Sequence, residues 1–554
     1  MNLSRLNTLC LLMLMILFFY SCQEKIGEEQ NSLESAGVLE FYNPAAERTI
    51  SQYGEVLGCT IKTLSSYTME LVSESDEEWA RFEKGQNGNP GFNQIRLSFT
   101  KNDGDQIRSA EMYITVEGYQ RTRIAVFQQD RVVTEKERNE KLNKHMHERL
   151  MKEYLWASAY ADLEVDLTMD YKTFLSHHLL QLGDLNIEDG GYVKGHNSNV
   201  GERFIYSNIQ PVNPNTKALS QVYGLGFGPF FASALSSDGS VYCLAVSYVH
   251  PGSPADNAGV KRGDAIFMVN GEYVTSDNFE EVSSELSQNP SGTYDLAFFR
   301  NGNVGDGKEL NASATASQYS YNPVLICDVL DGYVGYLVLE NFDFASQSAL
   351  VDAVNSLKSS DISELVLDLR YNQGGSVAQS RWLTSCIAGS ANLNNIFSAL
   401  VYNDGTRELW QFRGGPDDYD GLGIGPDLGL SRVYVIGSYY TASAAEMVVN
   451  SLRGIGFDVY LIGGKTEGKN VGMTSTYVTV DGTKYIFSPI TFRIENAMGF
   501  GKYSDGLIPD YQLSDQDLDF KDGDIDMMFP HSFGDWTAEG ANIALEAALA
   551  MISQ

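Results

Sequence analysis

The sequence predicts a multidomain chain in which an all-β module and a helical segment precede an α/β core. Three observations carry that expectation. At 554 residues the chain exceeds what one hydrophobic core supports, so about three to five domains are expected. Between residues 36 and 130 apolar side chains alternate with polar ones, the period of half-buried strands. Beyond residue 330, short apolar runs alternate with helix-spaced ones, the pattern of an α/β fold.

The first element lies outside the fold. Residues 1–21 carry one cation, Arg5, an apolar run from Leu9 to Tyr20, and then Ser21-Cys22, which reads as an export signal peptide. The run is short for a membrane span, and the small residue before Cys22 resembles the lipobox at which bacterial lipoproteins are cut and acylated. That resemblance implies an exported protein, lipid-anchored through Cys22 in the bacterial cell envelope, in the periplasm or at the cell surface. Residues 22–35 are polar and acidic, as suits a tether. With 72 acidic against 39 basic side chains the formal charge is −33, which repels phosphates and argues against nucleic acid as a partner. Cys59, Cys243, Cys327 and Cys386 lie far apart without C-x-x-C spacing, so no metal site is expected.

In residues 36–130 the alternating sets are Ile95, Leu97 and Phe99; Met112, Ile114 and Val116; and Ile124 and Val126 after a Glu117-Gly118 turn. They predict antiparallel strands. The stretch resembles the BACON modules of envelope proteins in Arg108-Ser109-Ala110 and Val126-Phe127-Gln128-Gln129, which implies an immunoglobulin-like β-sandwich without an active residue. Residues 131–220 form the helical segment, where Leu142, Met146 and Leu150 recur at helical spacing. His145 and His147 diverge around that helix, so they are expected to be solvated surface residues and not joint metal ligands. Pro211 and Pro214 mark the boundary that follows.

Residues 221–315 open on Tyr223-Gly224-Leu225-Gly226-Phe227, followed by Gly252-Ser253-Pro254-Ala255, Gly263-Asp264 and Val269-Asn270-Gly271. This order resembles a PDZ domain of the bacterial protease type. The glycine-rich turn, Gly224 to Phe227, would expose N–H groups to a peptide's terminal carboxylate, beside a strand edge that accepts the extended peptide. Gly263 and the Asn270-Gly271 pair supply turns with positive φ.

Residues 330–515 hold the catalytic candidates. A buried strand, Leu365 to Arg370, runs into Tyr371-Asn372-Gln373-Gly374-Gly375, where Gly374 and Gly375 either make a tight turn or offer unobstructed N–H groups to an oxyanion. A second strand, Val433 to Gly437, leads to Thr441-Ala442-Ser443-Ala444-Ala445-Glu446 and a helical pattern. Ser443 there is either an N-cap or a nucleophile beside the N–H of Ala444. A third strand, Val459 to Ile462, leads to Gly463-Gly464-Lys465-Thr466-Glu467-Gly468-Lys469.

Together these segments resemble the tail-specific, or C-terminal processing, protease family. In that family a strand ends in a D-L-R-x-N-x-G-G loop, the serine opens a T-A-S-A-x-E helix, and a G-x-x-T-x-G-K loop supplies the base. Asp368 to Gly375, Thr441 to Glu446 and Gly463 to Lys469 match in turn, and Gly506 to Asp510 resembles the family's G-x-x-P-D segment. The resemblance implies an α/β crotonase-like serine peptidase domain with Ser443 as nucleophile, Lys469 as base, and Ala444 with Gly374 or Gly375 as oxyanion hole. It implies substrates that are proteins or peptides with a free C-terminus, and no cofactor. Glu446, one turn after Ser443, is either a helper or a solvated carboxylate favouring the helix dipole.

One departure is Met473, where family members commonly carry a glutamine that helps orient the base. A catalytically inactive lipoprotein that binds peptides or glycans is the reading this departure favours. A histidine-based triad is excluded by position, because no histidine lies between Pro251 and Pro530. A lysine acts as base only when neutral, so its pKa must fall from about 10.4 by roughly 3 pH units, about 4 kcal/mol, and Lys469 must be buried. Residues 516–554 are expected to close the chain as a helical segment.

Overall fold

The computed structural model describes residues 39–42, 47–50, 56–73, 79–102, 108–117, 122–128, 134–185, 205–212, 221–234, 242–300, 309–342, 347–413, 422–513, 536 and 542–554. The export segment, the tether with Cys22, and Gly118 of the expected turn lie outside the described residues. The chain divides into two compact units, one formed by residues up to Arg138 with Val480–Gly482, the other by Asn139–Thr479 and Thr483–Gln554.

In the first unit, period-two patterning becomes strands. Gly91–Phe99 buries Ile95, Leu97 and Phe99, and Arg108–Val116 buries Ala110, Met112, Ile114 and Val116, with the intervening side chains more exposed. The strands form one four-stranded and one five-stranded sheet. Ile61, Ile95 and Leu97 of the first share a core with Met69, Met112 and Ile114 of the second, so two sheets close over one apolar layer. One pairing departs from the antiparallel expectation, since Glu47–Ile50 runs parallel to Thr122–Gln128.

The second unit begins on the expected helix, Glu135–Glu153, whose Leu142, Met146 and Leu150 are buried. Met146 and Leu150 pack with Phe174, Leu179, Phe487 and Ile490. His145 and His147 are half-buried and bonded, a correction to the solvated reading: His145 Nε2 lies 3.3 Å from Thr476 Oγ1 and His147 Nδ1 lies 3.1 Å from the Tyr160 hydroxyl. The segment is also not wholly helical. Asn208–Pro211 is a strand antiparallel to Thr483–Ser488, which builds this segment onto residues far along the chain.

Next comes a sheet ordered Phe230–Ala234, Tyr242–Val246, Ala265–Val269, Thr293–Phe299 and Glu309–Thr315. Leu244, Val246, Ile266, Leu296 and Phe298 fill its core. Asn270 and Gly271, at φ +53° and +84°, make a two-residue hairpin turn between Val269 and Glu272.

The third layer system is a six-stranded sheet ordered Val324–Leu330, Val334–Leu339, Glu364–Asp368, Arg432–Gly437, Asp458–Gly463 and Tyr511–Gln512. Only its first pair is antiparallel. Alternate residues face opposite layers. Leu337, Leu365, Leu367, Val433, Val435 and Leu461 join one core with the helices Gln347–Ser359, Val377–Ala388 and Ala444–Gly454. Tyr336, Val366, Tyr434, Ile436 and Ile462 join another with the terminal helix Ile543–Ile552. Burial on both faces explains why these strands read as continuous apolar runs.

Candidate active site

The three loops singled out in the sequence leave the carboxyl ends of adjacent parallel strands, Glu364–Asp368, Arg432–Gly437 and Asp458–Gly463. In an open α/β sheet this edge gathers loops into one crevice.

Ser443 stands directly before the helix Ala444–Gly454 with φ +55° and ψ −117°. A residue other than glycine held there stores strain of ~1–3 kcal/mol, so its surroundings must impose it. They do so through hydrogen bonds on either side. The Thr441 hydroxyl accepts from Ser438 N at 2.9 Å and donates to Leu369 O at 2.8 Å, and Ala442 N donates to Asn372 O at 3.0 Å. The Ser380 hydroxyl holds Ala444 O at 2.6 Å. The sharp turn leaves Ser443 half-exposed above a buried helix.

The glycine loop closes on this turn. A methyl on Gly374 would lie 2.8 Å from Ser443 Cβ and 3.0 Å from Ala444 N, and one on Gly375 would lie 2.4 Å from Phe342 O. With φ of +102° and +123°, both positions demand glycine. The two amides differ. Gly374 N donates to Asn372 Oδ1 at 2.8 Å, which corrects its place among the free donors. The N–H groups of Gly375 and Ala444 donate to no acceptor among the described residues.

Glu446 is fully buried, which rules out the solvated reading. Its Oε2 accepts from Ser443 N at 2.9 Å and Lys469 N at 2.8 Å, and its Oε1 accepts from Gly468 N at 2.8 Å and the Thr466 hydroxyl at 2.6 Å. One carboxylate thus ties the serine turn to the lysine loop. Burial pushes this carboxyl up to about 7, against four hydrogen bonds that favour its ionised form.

Burial holds the Lys469 amine down at about 8, opposed by the nearby Glu446 carboxylate. Its Nζ lies 4.8 Å from the centre of the Tyr206 ring, and the Tyr206 hydroxyl donates to Glu467. Tyr206 escaped the sequence reading because a single aromatic in an irregular segment carries no spacing signal. Met473 lies in the short strand Val471–Met473 and packs in the same apolar cluster as Tyr206. Lys465 points elsewhere, its stem against Gly506.

Gly224 to Phe227 are all buried, so the turn is not laid open as expected. Gln221–Gly224 pairs with Ser317–Ser320, and Ser253 and the Tyr319 ring crowd Gly226. This region meets the α/β sheet through polar contacts. His250 Nε2 lies 2.7 Å from Glu340 Oε2, the Tyr248 hydroxyl donates to Glu340 Oε1 at 2.9 Å, and Arg262 Nη1 donates at 2.7 Å to the hydroxyl of Tyr371, next to the glycine loop.

Residues 333–513 match the Peptidase family S41 model and residues 245–293 a PDZ domain model. The carboxyl-terminal-processing peptidase 1 of Arabidopsis thaliana, a chloroplast protein, is 29% identical over 262 residues, 47% of this chain and 50% of its own. The carboxy-terminal processing protease CtpA of Bacillus subtilis is 25% identical over 262 residues, covering 47% of this chain and 51% of its own. The chain therefore spans about half the length of the curated relatives it matches. A crystal structure from Bacteroides fragilis assigned to the S41 proteases shares the fold, with TM-score 0.57 at 24% identity over 74% of this chain and 97% of that one. The α/β region that carries Ser443 and Lys469 matches the S41 peptidase model, and the region before it matches a PDZ domain model.

Proposed function

We propose that this protein is a serine endopeptidase of the C-terminal processing type that cleaves exported proteins or peptides through a Ser443–Lys469 dyad. The observation that carries this reading is a lysine amine brought to about 8 by burial, on a loop joined to the Ser443 amide through Glu446. At pH 7 about a tenth of such an amine is neutral, against less than a thousandth of an ordinary lysine.

In the proposed reaction Ser443 Oγ attacks a peptide carbonyl carbon while Lys469 Nζ takes the hydroxyl proton. The carbonyl oxygen gathers negative charge and is held by the N–H groups of Ala444 and Gly375, with Gly374 allowing the close approach. Lys469 returns the proton to the departing amine as the tetrahedral intermediate collapses to an ester. Water, deprotonated by the same lysine, then hydrolyses that ester. The PDZ domain takes the free C-terminus of the substrate at Gly224 to Phe227, once the packing against Ser253 and Tyr319 opens. The finer fold readings are a crotonase-like peptidase core and an immunoglobulin-like, BACON-type first unit. A lipid anchor on Cys22 would hold the protein at the bacterial cell envelope.

The test is cleavage of an unstructured polypeptide, with new termini identified by mass spectrometry. Ser443→Ala and Lys469→Arg are each expected to abolish cleavage, since arginine stays charged near neutral pH, while Lys465→Arg retains most activity. Full activity in Lys469→Arg would disprove the dyad. A parent protein that cleaves nothing would favour an inactive peptide-binding lipoprotein.

A further inference from the structure

We propose that Tyr206 is a positioning residue for the lysine base: its ring is the wall that keeps water from the Lys469 amine, and its hydroxyl pins the lysine loop through Glu467. The inference rests on the dyad reading. It concerns a residue outside both matched regions, 245–293 and 333–513.

The ring centre lies 4.8 Å from Nζ, close enough to displace the water that would otherwise solvate an ammonium group there. Two effects of such a ring oppose each other. Its negative face favours the charged amine, and its exclusion of water favours the neutral one. The amine sits below its ordinary value with burial as the leading cause, and on this proposal the ring's share of that burial is larger than its attraction for the charge. The wall is itself fixed. The Tyr206 hydroxyl donates to Glu467, whose N–H donates to Thr441 O at 3.0 Å, two residues before Ser443. The neighbouring Ser207 hydroxyl accepts from Ile490 N at 3.0 Å, holding the tyrosine's backbone to a strand of the peptidase domain.

Glu446 from the serine helix acts on Lys469, Tyr206 and Tyr503, Tyr439 from the turn before Ser443 acts on Tyr206, and Glu467 of the lysine loop accepts from the Tyr206 hydroxyl. Of these, the Glu446 carboxylate acts on the amine, and it raises the pKa. A substitution at Tyr206 leaves it in place. Met473 packs in the same apolar cluster as Tyr206.

Tyr206→Phe, Tyr206→Leu and Tyr206→Ala in the full chain, beside the parent and Lys469→Arg, make the test. Two quantities are read across pH: kcat/KM on an unstructured peptide, and acylation of Lys469 by acetic anhydride followed by mass spectrometry. Removing the wall raises the amine's pKa, so less neutral base is present at a given pH below it. Tyr206→Ala is expected to move the acid limb and the labelling midpoint up by about one pH unit, with activity at pH 7 falling about tenfold and recovering above the limb. Tyr206→Leu moves both less, and Tyr206→Phe keeps the parental midpoint. Parental midpoints in both Ala and Leu variants, or activity lost evenly at every pH, would overturn the wall. If Tyr206→Ala fails to fold, the Leu and Phe variants decide between the same outcomes. A raised labelling midpoint together with cleavage by Lys469→Arg leaves the wall standing and removes the dyad. An unmoved midpoint with inactive Lys469→Arg does the reverse.

Discussion

A lysine amine is solvated and charged in water, and the fold must give up stability to make it a base. At Lys469 burial lowers the pKa from 10.5 to about 8. Between those values the unfolded chain keeps a proton that the folded chain has released, so this residue's contribution to stability rises with pH across that window and is least favourable below it. The cost near pH 7 reaches about 3 kcal/mol. Lys469→Met is therefore expected to raise the melting temperature by a few degrees at pH 7, with the gain shrinking as pH approaches 10.5. Thermal denaturation of both proteins across that range measures it, and a gain independent of pH would show that the amine is solvated in the folded state. Glu446 was legible as a residue near the site, but not as a buried one. Its four donors come from Ser443, Thr466, Gly468 and Lys469, and three of them lie twenty or more positions away.

At the scale of elements, strands and helices appear close to where the sequence places them. Leu365 to Arg370 is observed as Glu364–Asp368, and Val433 to Gly437 as Arg432–Gly437. The serine helix starts at Ala444 with Ser443 in the N-cap place, where its positive φ breaks the helical path. The glycine loop is the most demanding connection. Its Gly374 O accepts from Phe342 N and its Ser376 N donates to Phe342 O, each at 2.8 Å, so Gly375 is pinned between two bonds to one residue. Gly375→Ala would add left-handed strain and a clash with Phe342 O, at a cost of ~1–3 kcal/mol or a displaced loop. The expected result is a lower denaturation midpoint and at least about a tenfold loss in kcat/KM, because the Gly375 N–H would be displaced from the proposed oxyanion hole. Undiminished turnover in a Gly375→Ala protein would remove this amide from the oxyanion hole.

For the whole molecule, the N-terminal pattern carries the proposed export and anchoring through Cys22. Replacing Cys22 with Ser is expected to move the protein from the membrane fraction to the soluble one, read by fractionation of cells that express it. Retention on the membrane would rule out acylation of Cys22 as the anchor. Within the second unit, the PDZ domain meets the peptidase domain through His250, Tyr248 and Glu340 and through Arg262 and Tyr371. Of these residues only Tyr371 falls inside a motif, at a variable position. Their partners lie 90 or more positions apart, at separations that no local spacing encodes.

The sequence by itself determined the order of modules, the strand and helix periods, and the residue types on the three loops, because each is written in contiguous residues whose spacing mirrors local geometry. Tertiary structure alone decided which of those groups meet and in what state. It buried Glu446, spent the Gly374 amide on Asn372, closed the turn at Gly226, and brought Tyr206 from an unmarked segment to Lys469. Desolvation and hydrogen-bond pairing depend on neighbours in space, and at this site those neighbours come from loops and strands spread over some 260 positions of the chain.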